Sequence, residues 1–168
     1  MASERADALA DEFASANEDA IAFVRRCSEE DWSRTVPGEA WPVGVVLHHV
    51  AEGHGQGQRW IRSMADGQGV AESGDDVDRV NAEHAQRAAG TTRDETALLL
   101  GTEGARLEAT RRALTDTELD RTAPFGPAGG RRVPTVELVP VMARHTREHV
   151  AHARAATLGS AASSEPLG

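Results

Sequence analysis

Several things are scarce in this chain, and each shortage excludes something. One cysteine, Cys27, stands among 168 residues, so neither an internal disulfide nor a CxxC redox pair is available. Cys27 ends a helical run, AIAFVRRCS, and reads as a small half-buried apolar residue rather than a reactive thiol. Aromatics make up 4% of the chain, with three Trp, three Phe and no Tyr. Ala, Val and Leu must therefore build the core, and small residues of this kind suit close helix packing. Positive charge is also short: 18 Lys and Arg against 27 Asp and Glu give a formal net charge of −9. That argues against a nucleic-acid partner, which needs a basic face, and against docking on an anionic membrane. No apolar run approaches the roughly 20 residues of a membrane span. The N-terminal MASERADALADEF is acidic and lacks the apolar region of a signal peptide. The expectation is a cytoplasmic protein acting on a small molecule, with no nucleic-acid or membrane partner.

Helical periodicity is what the chain has in quantity. Over residues 3–27, Ala6, Leu9, Phe13, Ala20, Ile21, Phe23 and Val24 recur mainly by three and four, as one helix face requires. Ser28-Glu29-Glu30-Asp31 resembles a turn or the start of a short helix. A second helix starts near Trp41-Pro42, proline being tolerated in a first turn, and ends near Asp66-Gly67. Gly53, Gly55 and Gly57 weaken it by roughly 1 kcal/mol each relative to alanine, so packing must hold it, and the glycines suit close approach of a neighbour. Residues 67–91 begin polar and Gly-rich and then carry a short helical stretch, VDRVNAEHAQRAAG; this is a long crossover. A third helix runs from about Thr92, where Thr92 and Glu95 form a capping-box signature, to Leu114. The segment DTELDRTAPFGPAGGRRVPTV is a Pro- and Gly-punctuated loop with a brief extended stretch around Val133. A fourth helix runs from near Pro134-Thr135 to about Leu158. No convincing strand set is present. The fold expected is all-α: a four-helix bundle with a long crossover between helices 2 and 3. It forms one domain over residues 1–158, followed by a disordered tail over 159–168.

Seven histidines are unevenly placed. HHVAEGH holds His48, His49 and His54; HTREHVAH holds His145, His149 and His152; His84 stands alone in the crossover. His145 and His149, four apart on a helix, project to one side, as two ligands to one divalent ion must. A metal in a bundle also needs a ligand from a facing helix. His48 or His49 can supply it, but they differ by about 100° around the helix, and the spacing does not choose between them. HTREH also matches the inverted zinc-peptidase pattern H-x-x-E-H with Glu148 as base. That reading is set aside, because it needs a further ligand well downstream and the single carboxylate after His149 is Glu165 in the tail.

WPVGVVLHHVAEGH resembles the second-helix motif of the DinB-like (YfiT-like) metalloenzyme family, in which a Trp precedes a helix bearing a ligand histidine. HTREHVAH resembles the family's fourth-helix motif, HxxxH followed by a further histidine. TDTELDRTAPFG resembles its linker between helices three and four. The matches span about residues 5–158. The resemblance implies a four-helix bundle, a homodimer, and metal ligands at His49, His145 and His149, with His152 outside the ligand set. It also implies relatives that include maleylpyruvate isomerases and S-transferases using mycothiol or bacillithiol.

Three neutral imidazoles would leave one divalent metal per chain with open positions, the pattern of catalytic rather than structural sites. Zinc fits such a set best; nickel, iron(II) and manganese also suit it. An open position can take a low-molecular-weight thiol cosubstrate and favour its thiolate, or activate water. Glu52, three residues after His49, is the candidate catalytic base, or else a partner for an imidazole N–H. Asn81 and His84 reach the pocket if the crossover helix lies across its mouth. Arg144, Arg147 and Arg154 default to surface ion pairs. The expected function is a metal-dependent thiol S-transferase or related isomerase; the alternative is a non-catalytic metal-binding or dimerisation module.

Overall fold

The computed structural model describes residues 3–158; the tail expected over 159–168 lies outside them. In chain order the helices are α1 (Glu4–Arg26), α2 (Glu29–Ser33), α3 (Val43–Ala65), α4 (Gly74–Arg87), α5 (Arg93–Arg112) and α6 (Asp116–Asp120). A hairpin follows, β1 (Thr122–Phe125) and β2 (Arg131–Pro134), and then α7 (Thr135–Leu138) and α8 (Val141–Leu158). The four long helices α1, α3, α5 and α8 form the bundle. α5 packs along both α1 and α3, and α8 closes the bundle against α1 and α3. α4 rides on the crossover between the second and third long helices, as expected.

Local chemistry sets the ends. Ser3 caps α1 by accepting from the backbone N–H groups of Arg5 and Ala6. Full capping boxes start α2 at Ser28, α4 at Ser73, α5 at Thr92 and α6 at Thr115. Each satisfies two backbone donors that a helix start otherwise leaves open. The fourth long helix departs from expectation. It is interrupted after α7, and α8 starts at Val141, directly after Pro140, a residue with no N–H to donate back into a continuous helix.

The extended stretch expected around Val133 is β2, and it pairs with β1 where no convincing strand set was expected. β1 and β2 pair antiparallel with Ala123 opposite Val133. The pair is docked on the start of the crossover, where Val70 N–H donates to Pro124 O at 2.9 Å and Gly126 N–H to Val70 O at 2.8 Å. Met64, Val70, Ala123, Val133 and Leu138 bury together beneath it. Strands of four residues containing Pro124 and Pro134 carry little alternation of their own; the crossover and the core hold them.

The bundle interior holds two larger apolar clusters. One gathers Val24, Trp32, Leu47, Val50, Leu100 and Val150. The other gathers Phe13, Ile61, Leu107, Leu119, Met142 and Ala143. On α8 the polar positions His145, Thr146 and His149 fall between Ala143 of the second cluster and Val150 of the first. On α3, His54 falls between Ala51 and Ile61 in the same way. A polar belt therefore crosses the bundle where α3 faces α8. Among the described residues no helix is long and apolar enough to cross a membrane.

Candidate metal centre

α3 and α8 bring His49, His145 and His149 together. One nitrogen from each can be chosen so that all lie within 4.8 Å of one another. His145 and His149, one turn apart on α8, set their Nε2 atoms 3.1 Å apart. The His49 ring lies edge-on to both, with centroids at 5.2 and 5.4 Å. The choice that spacing left open is thus made by the packing: His49 faces α8, while His48 turns toward α4 and stacks on His84 at 5.2 Å. The glycines of α3 permit this approach. A Cβ on Gly53 would lie 3.3 Å from Met142 Cε and 3.7 Å from His145 Cε1, and one on Gly57 would lie 2.6 Å from Met142 Cγ.

Glu39 fixes the hydrogen positions. Its two carboxylate oxygens lie 3.0 and 2.9 Å from His149 Nδ1. A carboxylate only accepts, so Nδ1–H donates and the Nε2 lone pair is left toward His145. Glu39 accepts from His152 Nδ1 as well, at 2.7 Å. His152, which the resemblance left outside the ligand set, is thus joined to His149 through this carboxylate. The loop carrying Glu39 is itself strapped, with Val36 N–H to Trp41 O and Val43 N–H to Arg34 O, both 2.8 Å. Ala40 takes φ 59° to turn the chain there. Trp41, next along, packs edge-on to His49 at 5.6 Å. Glu39 had no signal in the sequence, because nothing in PGEAWP says that this loop folds back on α8.

Burial, reinforced by the neighbouring imidazoles, pushes His49 down to about 4 and His145 down to about 3. Both are neutral near pH 7 and offer lone pairs without competition from a proton. Among the described residues, His145 Nδ1 is buried with no hydrogen-bond partner. Two nitrogens 3.1 Å apart subtend roughly 95° at an ion about 2.1 Å from each, an ordinary metal–imidazole distance. The residues present therefore fit a divalent ion.

Glu52 does not touch these three rings. Its Oε2 lies 2.9 Å from His84 Nδ1 and 3.4 Å from Arg87 Nη2. Burial alone would raise its pKa; the His84 hydrogen bond and the charges of His84, His48 and Arg87 outweigh burial and hold it below the usual carboxylate range. With His49, His84, Asn81, Arg59 and Glu103 it lines a cleft of about 930 Å³ between α3, α4 and α5. The crossover helix does lie along the mouth, and Asn81 and His84 do reach it.

His54 is fully buried. Its Nε2 meets Thr146 Oγ1 at 3.1 Å, and that hydroxyl already donates to Met142 O at 2.7 Å, so His54 is the donor. Burial first, and the Arg111 guanidinium second, push it down to about 3. Arg144 and Arg147 pair with Glu148 and Glu12 at the surface, and Arg154 lies over the Phe23 ring. Cys27 is buried, and burial raises its thiol to about 11, the inert thiol expected.

A four-helix bundle whose α3 and α8 converge on three histidines able to hold a divalent ion, beside a polar cleft, defines the class of protein. The chain belongs to the DinB superfamily, whose family model matches residues 12–153. Among solved structures it is similar to YfiT from Bacillus subtilis, described as a probable metal-dependent hydrolase with an unusual four-helix bundle topology. The TM-score is 0.79 at 16% identity, covering 96% of this chain and 90% of YfiT. It is also similar to the mycothiol-dependent maleylpyruvate isomerase, with a TM-score of 0.71 at 15% identity over 88% of this chain. The match spans 60% of the isomerase. At these identities the likeness is one of fold. No curated protein matches the sequence.

Proposed function

We propose that the chain is a divalent-metal-dependent enzyme, a thiol S-transferase or related isomerase working with a cosubstrate of the mycothiol or bacillithiol type. The observation that carries the reading is the pair of Nε2 atoms of His145 and His149 at 3.1 Å, with His49 closing the group and also lining the cleft. A divalent ion held there, zinc by preference with nickel, iron(II) or manganese as alternatives, supplies the positive charge that favours a thiolate at neutral pH.

The chain's own residues do the rest. His49 and His145 present neutral nitrogens, and His149 turns its Nε2 toward them. Glu39 holds the His149 ring and its tautomer, as an outer carboxylate does for a ligand histidine. The cleft, with Gln56, Gln58, Asn81 and Arg59 on its walls, suits a polar, hydroxyl-rich cosubstrate rather than an apolar one. Glu52, the candidate base, is tied to His84 and Arg87, and a carboxylate so held is a weak proton acceptor. We assign it to positioning α4 along the cleft. The homodimer implied by the family resemblance belongs to the same reading and is checked as mass by light scattering.

Metal content by mass spectrometry, wild type beside His145→Ala/His149→Ala, tests the centre. Loss of one equivalent in the variant supports it, and no loss overturns it. Turnover is then tested with mycothiol, bacillithiol and glutathione against electrophiles such as maleylpyruvate. Metal-loaded protein inactive with every thiol would leave the alternative, a metal-binding or dimerisation module.

A further inference from the structure

We propose that His48, Glu52 and His84 form a second divalent-cation site, separate from the three-histidine group and bridging the bundle to the crossover helix. The carrying observation is three ligand side chains brought together from two helices. His84 Nδ1–H donates to Glu52 Oε2 at 2.9 Å, and His84 Nε2 makes only a longer contact, 3.3 Å, to the carbonyl oxygen of Val45. That hydrogen bond serves one imidazole and one carboxylate oxygen.

The third group is left unserved: His48 Nδ1 stands 4.0 Å from Glu52 Oε1 and, among the described residues, is buried without a hydrogen-bond partner. A cation uses all three groups at once, since a ligand atom of each can be chosen within 4.8 Å of the other two. Ligand atoms 2.9 Å apart subtend roughly a right angle at an ion about 2.1 Å from each. With an ion on Nδ1 the hydrogen would sit on Nε2, 3.3 Å from the Val45 carbonyl oxygen, the usual outer contact that orients a ligand imidazole.

Two imidazoles and one carboxylate select a zinc-, nickel- or iron(II)-class ion over magnesium or calcium, which take oxygen sets. His48 and Glu52, four apart on α3, face the same way. His84 arrives from α4 as that helix's one buried residue. Arg87 Nη2, 3.4 Å from the same Oε2, is the competing cation; its exposed side chain is free to move aside. The His84 and His49 rings stand 5.5 Å apart, so the second ion would sit next to the first and at the edge of the cleft.

The test is zinc stoichiometry on the full chain, stripped with chelator, reloaded, desalted and measured by mass spectrometry. Wild type, Glu52→Gln, His84→Gln and His145→Ala/His149→Ala are compared. Two equivalents in wild type, with one lost in Glu52→Gln and in His84→Gln, support the second site. The equivalent that those two variants retain shows that α3 and α8 still pack, so misfolding is not the cause of the loss. One equivalent in wild type that survives both Glu52→Gln and His84→Gln overturns it. One equivalent lost in those variants but kept in His145→Ala/His149→Ala would support this site and overturn the three-histidine centre, so the two readings fail separately.

Discussion

Both oxygens of Glu39 lie within 3.0 Å of His149 Nδ1, and the consequence is a histidine with one fixed tautomer and one fixed ring plane. Removing such an outer partner typically weakens metal binding about 10–100-fold. Glu39→Ala is expected to do so while leaving helicity intact, measured by competition with a chromophoric chelator; an unchanged affinity would count against Glu39 as a positioning residue. His54 makes a second prediction. Unfolded, its ring takes up a proton near the ordinary histidine value; folded, it does so only near about 3. The unfolded chain therefore binds the extra proton over that interval. Stability present above about pH 6.5 is lost as pH falls toward the folded value, at a slope approaching about 1.4 kcal/mol per pH unit. His49 and His145 steepen the same limb. His54→Gln is expected to flatten it by one proton's worth in denaturant unfolding followed from pH 6.5 to 4. At this scale the HxxxH pair was legible because helix geometry alone puts His145 and His149 on one side. The choice of His49 over His48 needed the facing helix, and Glu39 needed a loop whose path no local rule describes.

The helices themselves were largely legible because their end signals are chemical: Thr92 with Glu95 forms the capping box read from the sequence. Of the hairpin only the extended stretch around Val133 was legible; its pairing was not, since Ala123 and Val133 bury against Met64, Val70 and Leu138 from elsewhere in the chain. The glycines of α3 and α5 yield a paired prediction. Gly101 on α5 has open space where a Cβ would sit, whereas a Cβ on Gly57 would press into Met142 Cγ. Gly101→Ala is expected to gain about 0.5–1 kcal/mol from helix propensity alone. Gly57→Ala gains the same but loses about 1–3 kcal/mol to overpacking, for a net loss, and it pushes α8 away beside His145. Urea melts of the two variants check the opposite signs, and zinc affinity is expected to drop in Gly57→Ala alone.

For the whole molecule, an ion bound between α3 and α8 favours the folded chain by mass action, about 2.7 kcal/mol at a hundredfold excess over Kd. For a chain of this length each 1 kcal/mol is about 2–4 °C in melting temperature. Zinc at that excess is therefore expected to raise the melting temperature of wild type by about 5–10 °C, and by clearly less in His145→Ala/His149→Ala. Equal shifts in the two would mean that the ion does not join the helices through these residues. The family and the bundle were legible at this scale from motif order and spacing. The cleft was not, because its walls come from three helices distant in sequence.

α4 keeps one buried side chain, His84, while α1, α3, α5 and α8 are each anchored by several. A segment with so little buried of its own opens without the rest, at a free energy set by its few contacts rather than by the bundle. Amide hydrogens from Val77 to Arg87 should exchange well ahead of those in α3 and α5, and faster still in His84→Ala, with the bundle's own exchange unchanged. The floor of the cleft would then be as durable as the fold, while one wall opens and closes on a clock of its own, and the time a bound molecule stays is set by the few contacts of α4, His84 first among them.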